Sequence, residues 1–216
     1  MTPRIALALI VLTLVAVLPS CAKSTTFNPY APPDKNELDR LQKIINDRPD
    51  LEVAQRQLTD LDGQIRASIA KHSPATEIGP AVPTASTNCV DPFAHNIGQV
   101  YGIEKIYARP APSSGDWTEI TAELGPVMQA AGFHANLPAN VTPAPGSFSQ
   151  ARDDGTTVDL INNAGNVLVY SYTTGCRLPS AWRSAPPPPD KRPLNDSNVH
   201  FPYLYGGPGG RTQPAT

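Results

Sequence analysis

The chain has 216 residues, 25 of them proline, and a formal net charge of −2. That length accommodates one ordinary domain, and the prolines, most of which lie outside the periodic stretches, point to long irregular ends. The near-neutral balance excludes a general nucleic-acid binder, which carries a basic excess or patch.

Met1-Thr2-Pro3-Arg4 carries one positive charge and leads into an uncharged apolar run from Ile5 to Leu18. A membrane-spanning helix takes about 20 apolar residues, and this run is shorter. A basic start before a short apolar centre is the pattern of a secretory signal peptide, so residues 1–20 are read as a leader cut after the small residue Ser20. Loss of Arg4 with the leader moves the net charge only from −2 to −3.

Leu18-Pro19-Ser20-Cys21 resembles the bacterial lipobox, in which the cysteine thiol is joined to diacylglycerol and becomes the first residue of the mature protein. Pro19 departs from the residues usual at its position. A thiol suits the step because deprotonated sulfur is a good nucleophile. Cys21 is the expected lipidation site; ordinary secretion with a free thiol and an uncleaved anchor helix are the alternatives. One acyl chain holds only marginally, at about 0.8 kcal/mol per buried methylene, so stable anchoring takes two or three. The expected partner is then the membrane itself, and the expected location is the extracytoplasmic face of the cell membrane.

Residues 21–35 form the lipidated N-terminus and a small, polar, proline-containing tether. Ser24, Thr25 and Thr26 are acceptors for O-linked sugar if the stretch is more than a plain linker. An α+β domain is expected over 36–183. Leu38, Leu41, Ile44 and Ile45 mark one face of a first helix over 36–47. Arg48-Pro49 ends it, because the residue before proline avoids the helical region. Asp50 is the expected N-cap of a second helix, whose stripe is Leu51, Leu58, Leu61, Ile65 and Ile69. Asp60, Asp62, Arg66 and Lys71 fall on its other face, expected to be solvated. Ser73-Pro74 ends this helix, and 78–88 reads as loop.

From Tyr101 the pattern is that of a strand, with Ile103, Lys105 and Tyr107 on one face and Glu104, Ile106 and Ala108 on the other. Asp116 is the expected cap of a third helix with the stripe Ile120, Leu124, Val127, Met128 and Ala131, and with Gly125-Pro126 as a candidate kink. Gly132 occupies the position of a C′ glycine, which returns Phe133 to the core. After a proline-rich loop, TTVDLI and NVLVYSYTT flank Asn162-Asn163-Ala164-Gly165, the signature of a hairpin. Its second strand is apolar on both faces and is expected at the centre of its sheet. The expected fold is a small, mostly antiparallel sheet packed against two to three helices. Residues 184–216 read as a disordered Pro/Gly-rich tail, with polyproline at Pro186–Pro189, serving as a spacer or as a peptide docking motif.

Three cysteines are odd for a secreted protein. With Cys21 acylated, Cys89 and Cys176 remain, and an oxidising compartment favours their pairing; two separate buried thiols are the alternative. Of the four histidines, His72, His95, His134 and His200, no two have ligand spacing, so neither a metal nor a cofactor is expected. Asp153, Asp154 and Asp159 do not match a calcium loop and read as a turn entering the hairpin. Asn140 and Asn195 head glycosylation-type triplets, a weak signal in a bacterial chain. Asp91, His95 and Ser113 have the residue types of a triad that distant positions assemble in space.

The lipobox, QLTDLDGQIRASI, NCVDPF, a helix ending in AGF and a hairpin closing in YTTGC together resemble the mycobacterial LppA-like lipoproteins over roughly residues 18–182. The resemblance implies a place on the outer face of the cell membrane and the pairing of Cys89 with Cys176. It brings no catalytic or ligand-binding residues. The expected function is a non-enzymatic binding module with an envelope protein or cell-wall component as its partner. The alternatives are a lipid or small-ligand carrier, with an apolar pocket lined by Tyr170, Tyr172 and Met128, and an envelope enzyme.

Overall fold

A computed structural model describes residues 34–188 apart from 84–85, 137–141, 143, 164 and 186. The leader, Ser20, Cys21, nearly all of the tether and the tail from 189 onward lie outside the described residues.

Helices α1 (Lys35–Asp47) and α2 (Leu51–His72) come first, followed by β1 (Glu77–Ile78), β2 (Thr87–Asn88), β3 (Gln99–Val100) and β4 (Gly102–Arg109). Then come α3 (Ser114–Ala130), β5 (His134–Ala135), β6 (Ser147–Ala151), β7 (Thr157–Asn163), β8 (Val167–Thr173) and α4 (Ser180–Ser184). Six strands form one sheet in the order β1-β4-β8-β7-β6-β5, and β2 pairs with β3 apart from it. All pairings are antiparallel. The fold is the expected α+β, with β8 inside the sheet as its two-faced apolarity requires.

The stripe of α2 and the Ile120, Leu124 and Met128 row of α3 are buried on one face of the sheet, against Ile106, Val158, Leu160, Leu168 and Tyr170. A second cluster joins Leu38 and Ile45 of α1 to Ile97, Leu178 and the disulfide between Cys89 and Cys176. The two cysteines are 87 residues apart in sequence and their Cα atoms 5.4 Å apart. Every buried hydrophobic among the described residues lies between Leu38 and Leu178.

Local chemistry departs from the simple patterns at several points. Ser113, not Asp116, is the N-cap of α3: its hydroxyl accepts the Asp116 N–H at 3.2 Å, and the Asp116 carboxylate accepts the Ser113 N–H at 3.3 Å. This reciprocal box satisfies two donors that a single cap cannot. Asp50 holds the N-cap position of α2, but its side chain makes no cap bond and pairs with Arg183 at 2.5 Å. In β4 the register shifts between Ile103 and Ile106. The bulge cancels strict alternation, so Ile103, Ile106 and Ala108 are all buried while Lys105 and Tyr107 are exposed. Within 78–88 the chain is not loop throughout, because Ile78 pairs with Ala108 and Thr87 with Val100. In α1 the buried set includes Gln42, with Ile44 only half-buried. The Gln42 amide accepts the Ile97 N–H at 2.8 Å and donates to the Ile97 carbonyl at 3.1 Å, tying the loop after Cys89 to α1.

α3 runs through Pro126 and ends as expected. Gly132 takes φ +82°, and the Phe133 and Gly132 N–H groups donate to the carbonyls of Met128 and Gln129. This Schellman closure delivers Phe133 to the core.

Candidate functional site

An open groove of about 560 Å³ runs between α2 and the C-terminal half of α3, where the turn joining β6 to β7 closes one end. Leu58 and Leu61 of α2 meet Val127 and Phe133 along its floor. Ala54, Ala130 and Ala131, too small to fill the gap, leave it open, and Gln57, Asp60 and Gln64 stand along the α2 side. Arg152 and Thr156 close the end.

That end is built on an unusual set of charges. Arg152 lies over the Phe133 ring at 5.7 Å, donates through Nη1 to the Gln57 side-chain Oε1 at 3.4 Å, and pairs through Nη2 with Asp154 at 2.8 Å. Asp154 also pairs with Arg177 at 2.6 Å and accepts the Thr156 N–H at 3.0 Å. Arg177 is only 1% exposed, although arginine is almost never fully buried unless paired. Its Nη2 also donates to the Thr156 hydroxyl at 3.1 Å, while Nε and Nη1 have no partner among the described residues. Burial works against the charge of Asp154, but hydrogen bonds from Arg177 and Thr156 outweigh it and hold the carboxyl at about 2. A third cation, Arg48, donates to the Cys176 carbonyl at 2.9 Å and covers Phe93 at 4.8 Å. Burial and then the Arg177 charge push its pKa down, with Asp154 partly offsetting them. Two guanidiniums thus share one carboxylate, and a third lies close enough to feel both the Arg177 and Asp154 charges.

Gly175 permits this packing: a Cβ there would lie 1.8 Å from the Asp154 carbonyl oxygen. Asp154 had read only as part of a turn, and Arg177 carried no signal of its own. Nothing in their spacing signals the pair, which the β6–β7 turn and the end of β8 bring together.

The other candidate residues fall as follows. Cys89 and Cys176 are joined. No hydrogen bond or ion pair among the described residues links Asp91, His95 and Ser113, and the Ser113 hydroxyl caps α3. His134 is exposed and faces Asp153 at 3.0 Å. His72 contacts Glu123 at 2.5 Å; that bond, and then one from Lys71, lowers the Glu123 pKa. Tyr170, Tyr172 and Met128 do not line this groove; they are buried in the main core. Nor is the polar face of α2 merely solvated. The Tyr170 hydroxyl donates to Asp62 at 2.8 Å, and Arg66 donates to the same carboxylate at 2.7 Å. Burial and then Asp62 raise the Tyr170 pKa, and burial with the Asp62 charge pushes Tyr172 up to about 12. Among the described residues no group of three or more His, Cys, Asp or Glu is placed to hold a metal, and no helix is long and apolar enough to cross a membrane.

Sheet, helices, disulfide and groove define a cystine-braced α+β domain with one face of its sheet covered by helices. The chain belongs to the LppA family, described as a lipoprotein confined to pathogenic Mycobacterium, whose profile matches residues 26–180. It is 51% identical over 213 residues to the "Uncharacterized lipoprotein LprP" of Mycobacterium bovis and to that of Mycobacterium tuberculosis, with 94% of this chain and 94% of each relative covered. No solved structure matches it. The protein is a lipoprotein, and that class associates with the membrane through a lipid anchor.

Proposed function

We propose that Cys21 carries the anchor, that the domain stands on the extracytoplasmic face of the cell membrane, and that it acts there as a non-enzymatic binding module for an envelope component. The α2–α3 groove is the observation that carries the binding role. It combines an apolar floor with polar side chains along its α2 side and a cation at one end, a mixture that ligand sites use. A leader ending in Leu18-Pro19-Ser20-Cys21, together with a disulfide between Cys89 and Cys176, supports the compartment, since disulfides persist in oxidising surroundings.

Two measurements test this function. A Cys21→Ala form is expected to leave the membrane fraction or to stay unprocessed, and protease added to intact cells is expected to digest the wild-type domain. Wild-type fractionation of the variant would refute the anchor, and full protection from protease would refute the location. Turnover of an envelope substrate by the purified protein, abolished by a single substitution, would refute the non-enzymatic role.

A further inference from the structure

We infer that the α2–α3 groove binds a single-chain amphiphile with an anionic head, the head held by Arg152 and the chain laid along Leu58, Leu61 and Val127. This deepens the binding role proposed above and rests on it.

Charge comes first. Arg152 and Arg177 share Asp154, and Arg48 stands close enough to feel both. In the cluster behind the closed end of the groove, cations therefore outnumber this carboxylate. Arg177 is buried, and among the described residues two of its nitrogens have no partner, which makes that excess costly. An anion beside Arg152 offsets it. Arg152 is the groove's own cation; a guanidinium has five N–H donors, and its bonds to Gln57 and Asp154 leave donors for a ligand oxygen.

The floor decides what the anion is attached to. It is made of side chains from two helices whose backbone groups are already bonded within the helices. An extended peptide laid there would leave its own N–H and C=O groups largely without partners, at a cost that buried backbone does not tolerate. An alkyl chain needs none. The lining residues Ala54 to Gln64 of α2 span about 15 Å at 1.5 Å per residue. Exposed Asp60, one turn beyond Gln57, further disfavours an anion away from Arg152.

The test uses the chain from residue 22 onward, which contains every buried hydrophobic of the described residues, with dodecanoate below its micelle concentration and dodecanol below its solubility limit as probes and calorimetry as the readout. Dodecanoate is expected to bind about tenfold more tightly than dodecanol, as one charge-assisted hydrogen bond implies. Arg152→Gln should abolish that preference while leaving dodecanol binding unchanged. Ala130→Trp, at an exposed position on the groove wall, should weaken both probes at least about tenfold with an unaltered melting temperature. Equal binding of the two probes, a preference that survives Arg152→Gln, or no binding at all would overturn the inference. So would a hexaglutamate peptide that binds more tightly than dodecanoate. Those failures are distinguishable from failure of the proposed function, which is read from fractionation, protease access and turnover.

Discussion

Asp154→Ala is the substitution that most directly questions the charge cluster. It removes the acceptor of Arg177 at 2.6 Å, of Arg152 at 2.8 Å and of the Thr156 N–H at 3.0 Å. Arg152 can turn to water. Arg177, 1% exposed and already without partners at Nε and Nη1, keeps only the Thr156 hydroxyl. Removing one member of a buried pair costs about 3–5 kcal/mol, because the other charge stays buried and uncompensated. Against a total stability of about 5–15 kcal/mol this is a large fraction. Asp154→Asn, which keeps an acceptor for Thr156, should cost about 2 kcal/mol. Arg177→Met made together with Asp154→Ala should cost about 2 kcal/mol less than the two changes summed. Urea unfolding at pH 7, followed by the fluorescence of Trp117 and Trp182, measures each value, with m expected to stay constant. An Asp154→Ala cost under about 1 kcal/mol, or strict additivity in the double variant, would refute the uncompensated-charge argument.

The same cluster sets the acid response. Asp154 is depressed from 3.8 to about 2, so its stabilisation is complete above its unfolded value and is lost as pH falls through about 2. After discounting for solvent screening this amounts to about 1–2 kcal/mol, and a urea midpoint that does not move between pH 5 and pH 2 would count against it. Tyr170 and Tyr172 are shifted the other way, so stability holds below about pH 10 and falls as pH rises through about 12; a tyrosinate titration complete by pH 11 in the folded protein contradicts this. Reduction of the disulfide that spans 87 residues should lower stability by about 2–5 kcal/mol, read as the shift in urea midpoint with and without dithiothreitol. Gly175→Ala drives a Cβ onto the Asp154 carbonyl and should cost more than about 3 kcal/mol. Gly63→Ala meets nothing within 4 Å inside α2 and should instead stabilise by about 0.5–1 kcal/mol; thermal melts of the pair check both signs.

Elements with a repeated local signal were legible. Leu58, Leu61, Ile65 and Ile69 recur with the helical period and are buried together. The β7–β8 hairpin followed from its turn residues, and Gly165 takes φ +82° there. The cysteine pairing followed from the arithmetic of three cysteines. Strand β6 was not legible, because Ser147 to Gln150 are all half-buried and the segment has no alternation to read. The two-residue strands β1, β2, β3 and β5 are too short to carry a period. The bulge in β4 put Ile103 on the face that alternation had assigned to Ile106.

The protein class, the three long helices and the hairpin could be read from the sequence, and the cysteine pairing was favoured by it, because each is encoded by neighbouring residues or by a small count. Only the tertiary structure decided which charges meet and where the surface stays open. Arg48, the Arg152–Asp154 pair and Arg177 come from three separate segments of the chain, and their sum is a property of the folded end of the sheet. The groove likewise exists because Ala54 on one helix faces Ala130 and Ala131 on another. No short stretch records that juxtaposition, since it depends on how two helices lie on the sheet and not on the composition of either.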